Sequence, residues 1–299
     1  MRVLVVGSNG MLGRDLMSTL VQTEYTVFGL DIPQIDITRQ HELSGVVRDL
    51  SPALIINCAA YTAVDKAEQE TELAFSINRD GSANLATVCH DQGIPLIHIS
   101  TDYVFDGTGR RPYRESDPAS PIGVYGRSKW EGEEGVRDHL REHLIVRTAW
   151  LYGVQGNNFV KTILRLSREK ERIRVVADQF GCPTWARDLA EGLARMATLI
   201  SDDPASVQWG TYHFCGQGQT TWHGFAEAIV AEGRRREELK VQQVVPVTTA
   251  EYPTPAARPS WSVLDCRKLE ENFGIVPRPW QTGLSEMMEE LYRGDFPRQ

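Results

Sequence analysis

A doubly wound α/β fold with a parallel sheet is what the sequence predicts, on three observations. Short, nearly continuous apolar runs alternate with helical-period segments through the first half of the chain. A glycine-rich turn, Gly7-Ser8-Asn9-Gly10-Met11-Leu12-Gly13, joins the first apolar run to the first helical one. Polar residues, among them Asn57, Ser100 and Thr101, stand where later apolar runs end. Ligands of parallel sheets collect at those ends.

The elements follow in order. Residues 2–6 read as a buried strand, and Leu16, Leu20 and Val21 mark the helix after the glycine turn. A second strand, 26–30, ends in Asp31. A helix with Thr38 as its N-cap precedes a strand at 53–57. Helical segments cover 64–92, and a strand at 95–100 follows. A long loop over 103–122 holds Gly107, Gly109, Pro112, Pro118 and Pro121. Next come the helix of Tyr125 and Lys129 and a strand at 144–147. Beyond residue 150 the alternation loosens. Helices are expected at 158–168, 186–199, 222–235, 265–273 and 280–292, and strands at 174–176 and 211–215. The expected organisation is a dinucleotide-binding domain over 1–152, to which 184–217 returns. A substrate-binding region takes 153–183 and 218–299.

The glycine turn carries the first chemistry, and it makes the predicted fold Rossmann-type. Gly7 permits the tight turn, Gly10 lets a pyrophosphate approach the helix N-terminus, and Gly13 lets helix and strand pack closely. The spacing is G-x-x-G-x-x-G, a variant of the commoner G-x-G-x-x-G. Asp31 lies near the offset of about 20 residues expected for a ribose-binding acid. A carboxylate there suits the free 2′-hydroxyl of NADH and repels the 2′-phosphate of NADPH. Ile32 and Pro33 follow instead of an arginine, so the residues lean to NADH and leave dual use open. The competing reading is a glycine-containing surface turn.

Tyr125 and Lys129 lie four apart and share one helix face. A free phenol has a pKa of about 10 and is a poor proton shuttle. An ammonium beside it is expected to favour the phenolate and bring the pKa toward neutrality. The spacing alone also arises by chance. Thr101 and Asp102 at a strand end read either as donors at the site or as a turn cap. Asn157, Asn158 and Lys161 at a helix start suit a diphosphate, or else form an ordinary capped surface helix. Trp150 is either a wall of the site or core. Arg258 is either a phosphate partner or a solvated arginine, and Asp65 with Lys66 reads as an exposed charge pair.

The chain has 299 residues, 41% hydrophobic content and a net charge of −8. No basic stripe points to nucleic acid. The run Arg234-Arg235-Arg236 is followed by Glu237 and Glu238 and reads as a solvated helix end. Five widely spaced cysteines without C-x-x-C read as free thiols of a reducing compartment, and a zinc site is not expected. The chain opens on a core strand, so no signal peptide is expected. No apolar run approaches the ~18–20 residues of a membrane span. The expectation is a cytoplasmic protein with no membrane or nucleic-acid partner.

The motifs together resemble the extended short-chain dehydrogenase/reductase family. They are the glycine turn, Asn57-Cys58-Ala59-Ala60-Tyr61-Thr62, Ser100-Thr101-Asp102-Tyr103-Val104-Phe105 and Tyr125-x-x-x-Lys129. Further signatures resemble, within it, the dTDP-4-dehydrorhamnose reductase family: 63–68, 106–109, 120–126, 156–162, 178–184 and Tyr252-Pro253-Thr254-Pro255-Ala256-Ala257-Arg258-Pro259. The match runs in order from residue 1 to about 290.

The resemblance implies NAD(P)H-dependent reduction of the C4 ketone of dTDP-4-dehydro-L-rhamnose to dTDP-L-rhamnose, a step toward polysaccharide. Carried over by position, Tyr125 is the general acid, Lys129 lowers its pKa and holds the nicotinamide ribose, and Thr101 polarises the ketone, with Asp102 beside it. Cofactor contacts are implied for Gly7, Asn9, Gly10, Met11, Leu12, Gly13, Asp31, Cys58, Ala59, Ala60, Tyr61, Thr62, Ser100, Tyr125 and Lys129. Substrate contacts are implied for Thr101, Asp102, Val104, Phe105, Tyr125, Trp150, Asn157, Asn158, Lys161, Gln179 and Arg258. Cys58 departs from the family's usual alanine and reads as a tolerated small residue. Some relatives hold magnesium through glutamates at a dimer interface. Asp15 is a counterpart for one of them, but a full ligand set cannot be placed, so no metal is predicted and a homodimer is left open. Two alternatives stay open: another nucleotide-sugar reductase or epimerase, and a non-catalytic regulatory subunit resembling that of methionine adenosyltransferase.

Overall fold

The computed structural model describes residues 1–294. The last five residues of the expected 218–299 region lie outside it. In chain order the elements begin β1 (Arg2–Val6), α1 (Met11–Leu20), β2 (Thr26–Leu30), α2 (Gln40–Leu50) and β3 (Leu54–Asn57). There follow α3 (Val64–Ala67), α4 (Thr71–Phe75), a π-helical turn (Ser76–Asp80), α5 (Gly81–Gln92) and β4 (Leu96–Thr101). A 3₁₀ turn (Asp102–Val104), α6 (Val124–His139), β5 (His143–Thr148) and β6 (Leu151–Tyr152) come next. Then come α7 (Phe159–Glu169), β7 (Arg172–Val176), β8 (Phe180–Gly181), β9 (Thr184–Trp185) and α8 (Ala186–Asp202). The remainder is β10 (Gly210–His213), β11 (Thr220–Thr221), α9 (Trp222–Arg234), β12 (Gln243–Val247), α10 (Arg267–Phe273) and α11 (Trp280–Arg293).

Six strands form one parallel sheet in the order β10-β5-β4-β3-β1-β2. Successive strand side chains point to opposite faces, and here both faces are apolar. Val3, Val5, Ile56 and Val146 pack with Leu16 of α1 and Leu193 of α8. Leu4, Val6, Ile55 and Ile145 pack on the other side with Val47 of α2, Leu85 of α5 and Val136 of α6. Burial on both faces is why these strands read as continuous apolar runs rather than as alternating ones. The chain runs outward from β1 to β2 and returns to β3 on the other side of β1, so the order switches between β1 and β3, and the carboxyl ends of these strands open onto one crevice.

A separate core gathers α7, α9 and α11 around Phe225, Ile229, Trp280 and Met287. Three small ribbons serve it: β7 with β12 in parallel, β8 with β11 antiparallel, and β6 with β9 in parallel. The sequence reading had no strand at β12. Pro246 sits inside it, and a proline that cannot donate to a ladder argues against a strand in a larger sheet. A two-stranded edge tolerates it.

Two other expectations are corrected. Thr38 is not the N-cap of α2, which is preceded by Arg39. Its hydroxyl and its N–H are both taken by Asp36 Oδ1, at 2.7 and 2.9 Å, in the turn before the helix. The helical stretch 64–92 is also broken by the π-helical turn, which buries Asn78. Asn78 then accepts from Tyr61 N–H (2.8 Å) and donates to Tyr61 O (3.0 Å) and Ser128 Oγ (3.0 Å). A π turn that re-aims one polar side chain in this way is a common local device at functional sites.

Under α6 lies a buried ion pair. Glu133 accepts from Arg147 Nε (2.8 Å) and Nη2 (2.7 Å), and from Arg137 Nη2 (2.6 Å). Burial, the largest single influence, would raise the Glu133 carboxyl, but Arg147, Arg137 and a hydrogen bond with Ser100 together outweigh it and hold the group down to about 2. Glu133→Gln is expected to cost about 3–5 kcal/mol in urea denaturation at pH 7, because Arg147 is left buried and uncompensated. A depressed carboxylate stabilises above its unfolded pKa and stops doing so as pH falls through the folded value. The gap between the proteins should therefore close toward pH 2.

Candidate active site

The nucleotide end is shaped by missing side chains. Gly7 has φ +78°, and a Cβ on it would lie 2.5 Å from Ala59 N. A Cβ on Gly13 would lie 2.2 Å from Gly7 O. The loop therefore folds directly against the strand and leaves the start of α1, with Gly10, Met11, Leu12 and Gly13, lining the crevice. No side chain caps that helix end, so its N–H groups and its positive dipole end suit an anion. Asn9 N donates to Asp31 Oδ2 (3.0 Å) and Ile32 N to Oδ1 (2.8 Å), which pins the carboxylate beside the loop. Arg14 Nε donates to Asn9 O (2.9 Å), so a guanidinium stands against the glycine loop. The donor set fits a dinucleotide.

The opposite wall is the turn after β3. Asn57 Oδ1 accepts from Ala59 N (3.1 Å), and its amide meets His98 Nδ1 (3.1 Å). Burial, with Lys129 adding to it, holds His98 well below its ordinary value and so neutral. Cys58, Ala60 and Thr62 line the crevice, and burial pushes the Cys58 thiol up to about 12. Ala59 and Tyr61 act here through the backbone, the latter tied to Asn78.

Between these walls β4 ends in Thr101. Its Oγ1 accepts from Tyr103 N (3.2 Å) and donates to Asp102 Oδ1 (3.1 Å). Asp102 is almost wholly buried and its Oδ2 has no partner. Burial raises it to about 6 against hydrogen bonds from Ser262 and Thr101 that lower it. Tyr125 enters on the first turn of α6, with its ring edge-on to Tyr103 at 5.6 Å. Ser100, Thr101, Asp102, Tyr125 and Lys129 converge on the same cavity, of about 530 Å³.

The expected phenol–ammonium coupling is not made. Burial pushes Tyr125 up to about 12, a hydrogen bond with Thr101 lowers it, and Asp102 raises it. Burial brings Lys129 down to about 8, with Glu133 and Cys58 opposing. Lys129 Nζ donates instead to Ile99 O (2.6 Å). Desolvation disfavours both charged forms and exceeds their mutual effect. The phenol therefore keeps its proton.

The remaining sequence candidates separate. Trp150, Asn157 and Asn158 line the cavity. Asn158 also caps α7, with Oδ1 accepting from Lys161 N (3.2 Å) and Nδ2 donating to Gly153 O (2.7 Å). Lys161 Nζ donates to Gly156 O (2.9 Å). Val104 and Phe105 are fully buried core, with Phe105 stacked on Tyr113 at 4.1 Å, so their expected contact with substrate is corrected. Gln179 is buried and donates to Thr249 Oγ1 (3.1 Å), away from the crevice. Arg258 forms a two-pronged pair with Asp65 (3.0 and 2.7 Å), which replaces the expected Asp65–Lys66 pair. Asp15, buried with one oxygen unpartnered, is raised to about 6 by burial against Arg187, which lowers it. Arg187 itself pairs with Glu290. Among the described residues, no group of His, Cys, Asp or Glu could hold a metal ion.

Sequence reasoning missed Trp222. It opens α9 behind the N-cap Thr221 and stacks on Trp150, with centroids 3.5 Å apart and planes at 5°. Nothing local in the sequence joins positions so far apart. Tyr103 and Thr148 also line the cavity unforeseen. Glu133 was legible in principle, since it continues the four-residue spacing of Tyr125 and Lys129.

Fold and crevice define a Rossmann-type nucleotide-binding protein. The chain belongs to the family described as RmlD substrate binding domain, whose model matches residues 1–293. A dTDP-4-dehydrorhamnose reductase from Burkholderia thailandensis is 41% identical, over 97% of this chain and 99% of that one. The crystal structure of a dTDP-4-dehydrorhamnose reductase from Clostridium acetobutylicum superposes with a TM-score of 0.90 at 39% identity, over 97% of this chain and 99% of that one. One from Bacillus anthracis, in complex with NADP, gives 0.89 at 41%, with the same coverage. No described helix is long and apolar enough to cross a membrane.

The aromatic wall is held tightly. Trp150 adopts φ +46°, a left-handed conformation that is strained for a bulky residue. A Cβ on Gly181 would lie 2.3 Å from its indole. Gly181→Ala is expected to displace the ring and cost about 1–3 kcal/mol. Urea denaturation reads the loss, and near-UV circular dichroism should show the stacked indoles uncoupled. An unchanged spectrum would mean the wall is not held this way.

Proposed function

We propose that the protein reduces the C4 ketone of dTDP-4-dehydro-L-rhamnose, with a nicotinamide cofactor as hydride donor. The observation that carries this is the convergence of Thr101, Tyr125 and Lys129 on one crevice behind a glycine loop, in a chain of this family. Full-length similarity to named reductases supports the substrate. The cofactor supplies the hydride when bound. The glycine loop and the start of α1 bind its pyrophosphate, and Asp31 accepts from a ribose hydroxyl. Asp31 suits NADH, while Arg14 on the glycine loop offers a cation to a 2′-phosphate, so dual use of NADH and NADPH is the reading.

Hydride addition turns a ketone into an alkoxide, and the chain must supply a proton and a donor to that oxygen. Tyr125 holds its proton at neutral pH and delivers it from its phenol. Thr101 Oγ1 is the second donor, turned from Asp102 to the ketone. Lys129 keeps an ammonium near the ribose. Trp150 and Trp222 form the wall for the sugar nucleotide, and the head of α7 at Asn157 and Asn158 takes its diphosphate. A complete set of Thr101, Tyr125 and Lys129 in the crevice is more than a regulatory subunit needs, which favours catalysis.

The test is absorbance of the reduced nicotinamide, with dTDP-4-dehydro-L-rhamnose and NADH or NADPH. Oxidation with either cofactor is expected, and none with both would end the assignment. Tyr125→Phe should keep cofactor binding and lose at least about a hundredfold in kcat; wild-type kcat would remove Tyr125 as the acid.

Lys129 carries its charge below about 8 and loses it above. Cofactor affinity is therefore expected to weaken as pH rises from 7 to 9. Tyr125 and Cys58 titrate only near 12, so a transition near 8 belongs to the lysine. Cofactor binding that is flat across that range would contradict the role.

A further inference from the structure

Three thiols meet outside the crevice, and the proposed reaction uses none of them. Cys215 follows β10, Cys266 stands at the head of α10, and Cys182 lies between β8 and β9. The sulfurs of Cys215 and Cys266 are 3.6 Å apart, in van der Waals contact. Cys182 also hydrogen-bonds Cys215. Cys182 and Cys215 are buried and Cys266 is half-buried. All three border a second cavity of about 520 Å³, lined also by Pro112, Leu264 and Val276. Since no described cluster has the arrangement of a metal site, thiol chemistry is what this one offers.

We propose that Cys266 and Cys215 are an oxidative modification site that closes to a reversible intramolecular disulfide when the protein meets a peroxide. Cys266 is the member that borders the open cavity without being fully buried, so it is oxidised first. Its sulfur attacks one peroxide oxygen, the O–O bond breaks, and Cys266 becomes a sulfenic acid while one water leaves. The sulfur of Cys215, already in contact, then attacks the Cys266 sulfur. The S–O bond breaks, and the departing hydroxide takes the Cys215 proton as a second water. Two thiols and one peroxide give one disulfide and two waters; sulfur is oxidised and peroxide oxygen is reduced. Hydrogen bonds with Cys182 and Cys266, together with burial, push the Cys215 thiol well up. It keeps its proton, which makes it the resolving partner rather than the first target.

The position gives the bond a structural reach. Gly216, next to Cys215, donates to Thr184 Oγ1 (3.2 Å), and Gln217 N donates to Arg278 O (2.8 Å). The same segment runs on through β11 to Trp222, which stacks on Trp150 in the crevice. The cross-link joins this segment to the head of α10, at the base of the aromatic wall.

The test treats the full chain with hydrogen peroxide, then counts thiols after denaturation and maps the peptides by mass spectrometry. The expected result is a fall from the five thiols of the sequence to three and a loss of about 2 Da. One cross-linked peptide pair should contain Cys215 and Cys266, and dithiothreitol should restore all the thiols. Cys266→Ser should form no cross-link, and Cys215→Ser should leave a sulfenic acid at Cys266 that dimedone traps. The wild-type peptide map decides even if a variant folds poorly. Retention of all five thiols, or a cross-link through Cys58, Cys89 or Cys182 instead, would overturn the proposal.

Discussion

A carboxylate with no exposed surface, Glu133, meets the guanidinium of Arg147 between α6 and the sheet, and the catalytic candidates lie where that meeting puts them. Such a pair is weak as a source of stability, because desolvating both charges consumes most of the attraction. Its value here is in position. Turning α6 by one residue, about 100°, would leave both charges buried and unpaired. Lys129 lies one turn from Glu133 and Tyr125 two turns from it, on the same stripe. Arg137, one turn further on, reaches both Glu133 and Thr211 of β10. Helix α6 is thus fixed across β4, β5 and β10 by charge, and its other end delivers a phenol and an ammonium to the crevice.

That docking requires closeness as well as register. A Cβ on Gly126 would lie 2.2 Å from Tyr103 O, and one on Gly132 would lie 2.1 Å from Asn78 O. Both meet backbone, which cannot give way as a flexible side chain can. The helix therefore rests directly on the π turn and on the turn after β4. Asn78, held under Gly132, grips the backbone of Tyr61, so the cofactor-side turn and the catalytic helix are located by one contact region. The two halves of the site are built against each other rather than separately on a common sheet.

Much of this was legible in the sequence, for reasons of range. The glycine loop, the strand ends and the Tyr125–Lys129 spacing are local patterns set by backbone geometry and helix period, and the structure has each of them. Residues whose role depends on distant partners were read less well. Trp222 has no local signature; its place follows from pairing with Trp150 across the second core. Val104 and Phe105 sit in a motif beside Thr101, yet the 3₁₀ turn after β4 leaves them in the core. The sequence leaves Arg258 between a phosphate partner and a solvated arginine, because Asp65, far away in the chain, cannot be seen beside it. The tyrosine pKa was misjudged for a different reason. Spacing says which groups share a face, but says nothing about how much water is left around them.

The loss of water in turn bears on how the proposed reaction is driven. Burial raises Tyr125 and Asp102 and lowers Lys129, so the crevice favours the neutral form of every titratable group it encloses. It would equally disfavour an alkoxide left without a partner. In so poorly solvated a place a hydrogen-bond donor is worth far more than in water. The same conditions that hold the phenol protonated thus make its proton, and the Thr101 hydroxyl, effective at the moment negative charge develops on the substrate oxygen. A phenol shifted to neutrality by a neighbouring ammonium would arrive partly deprotonated. The arrangement described here keeps the acid fully loaded and leaves the developing charge on the substrate to draw the proton off.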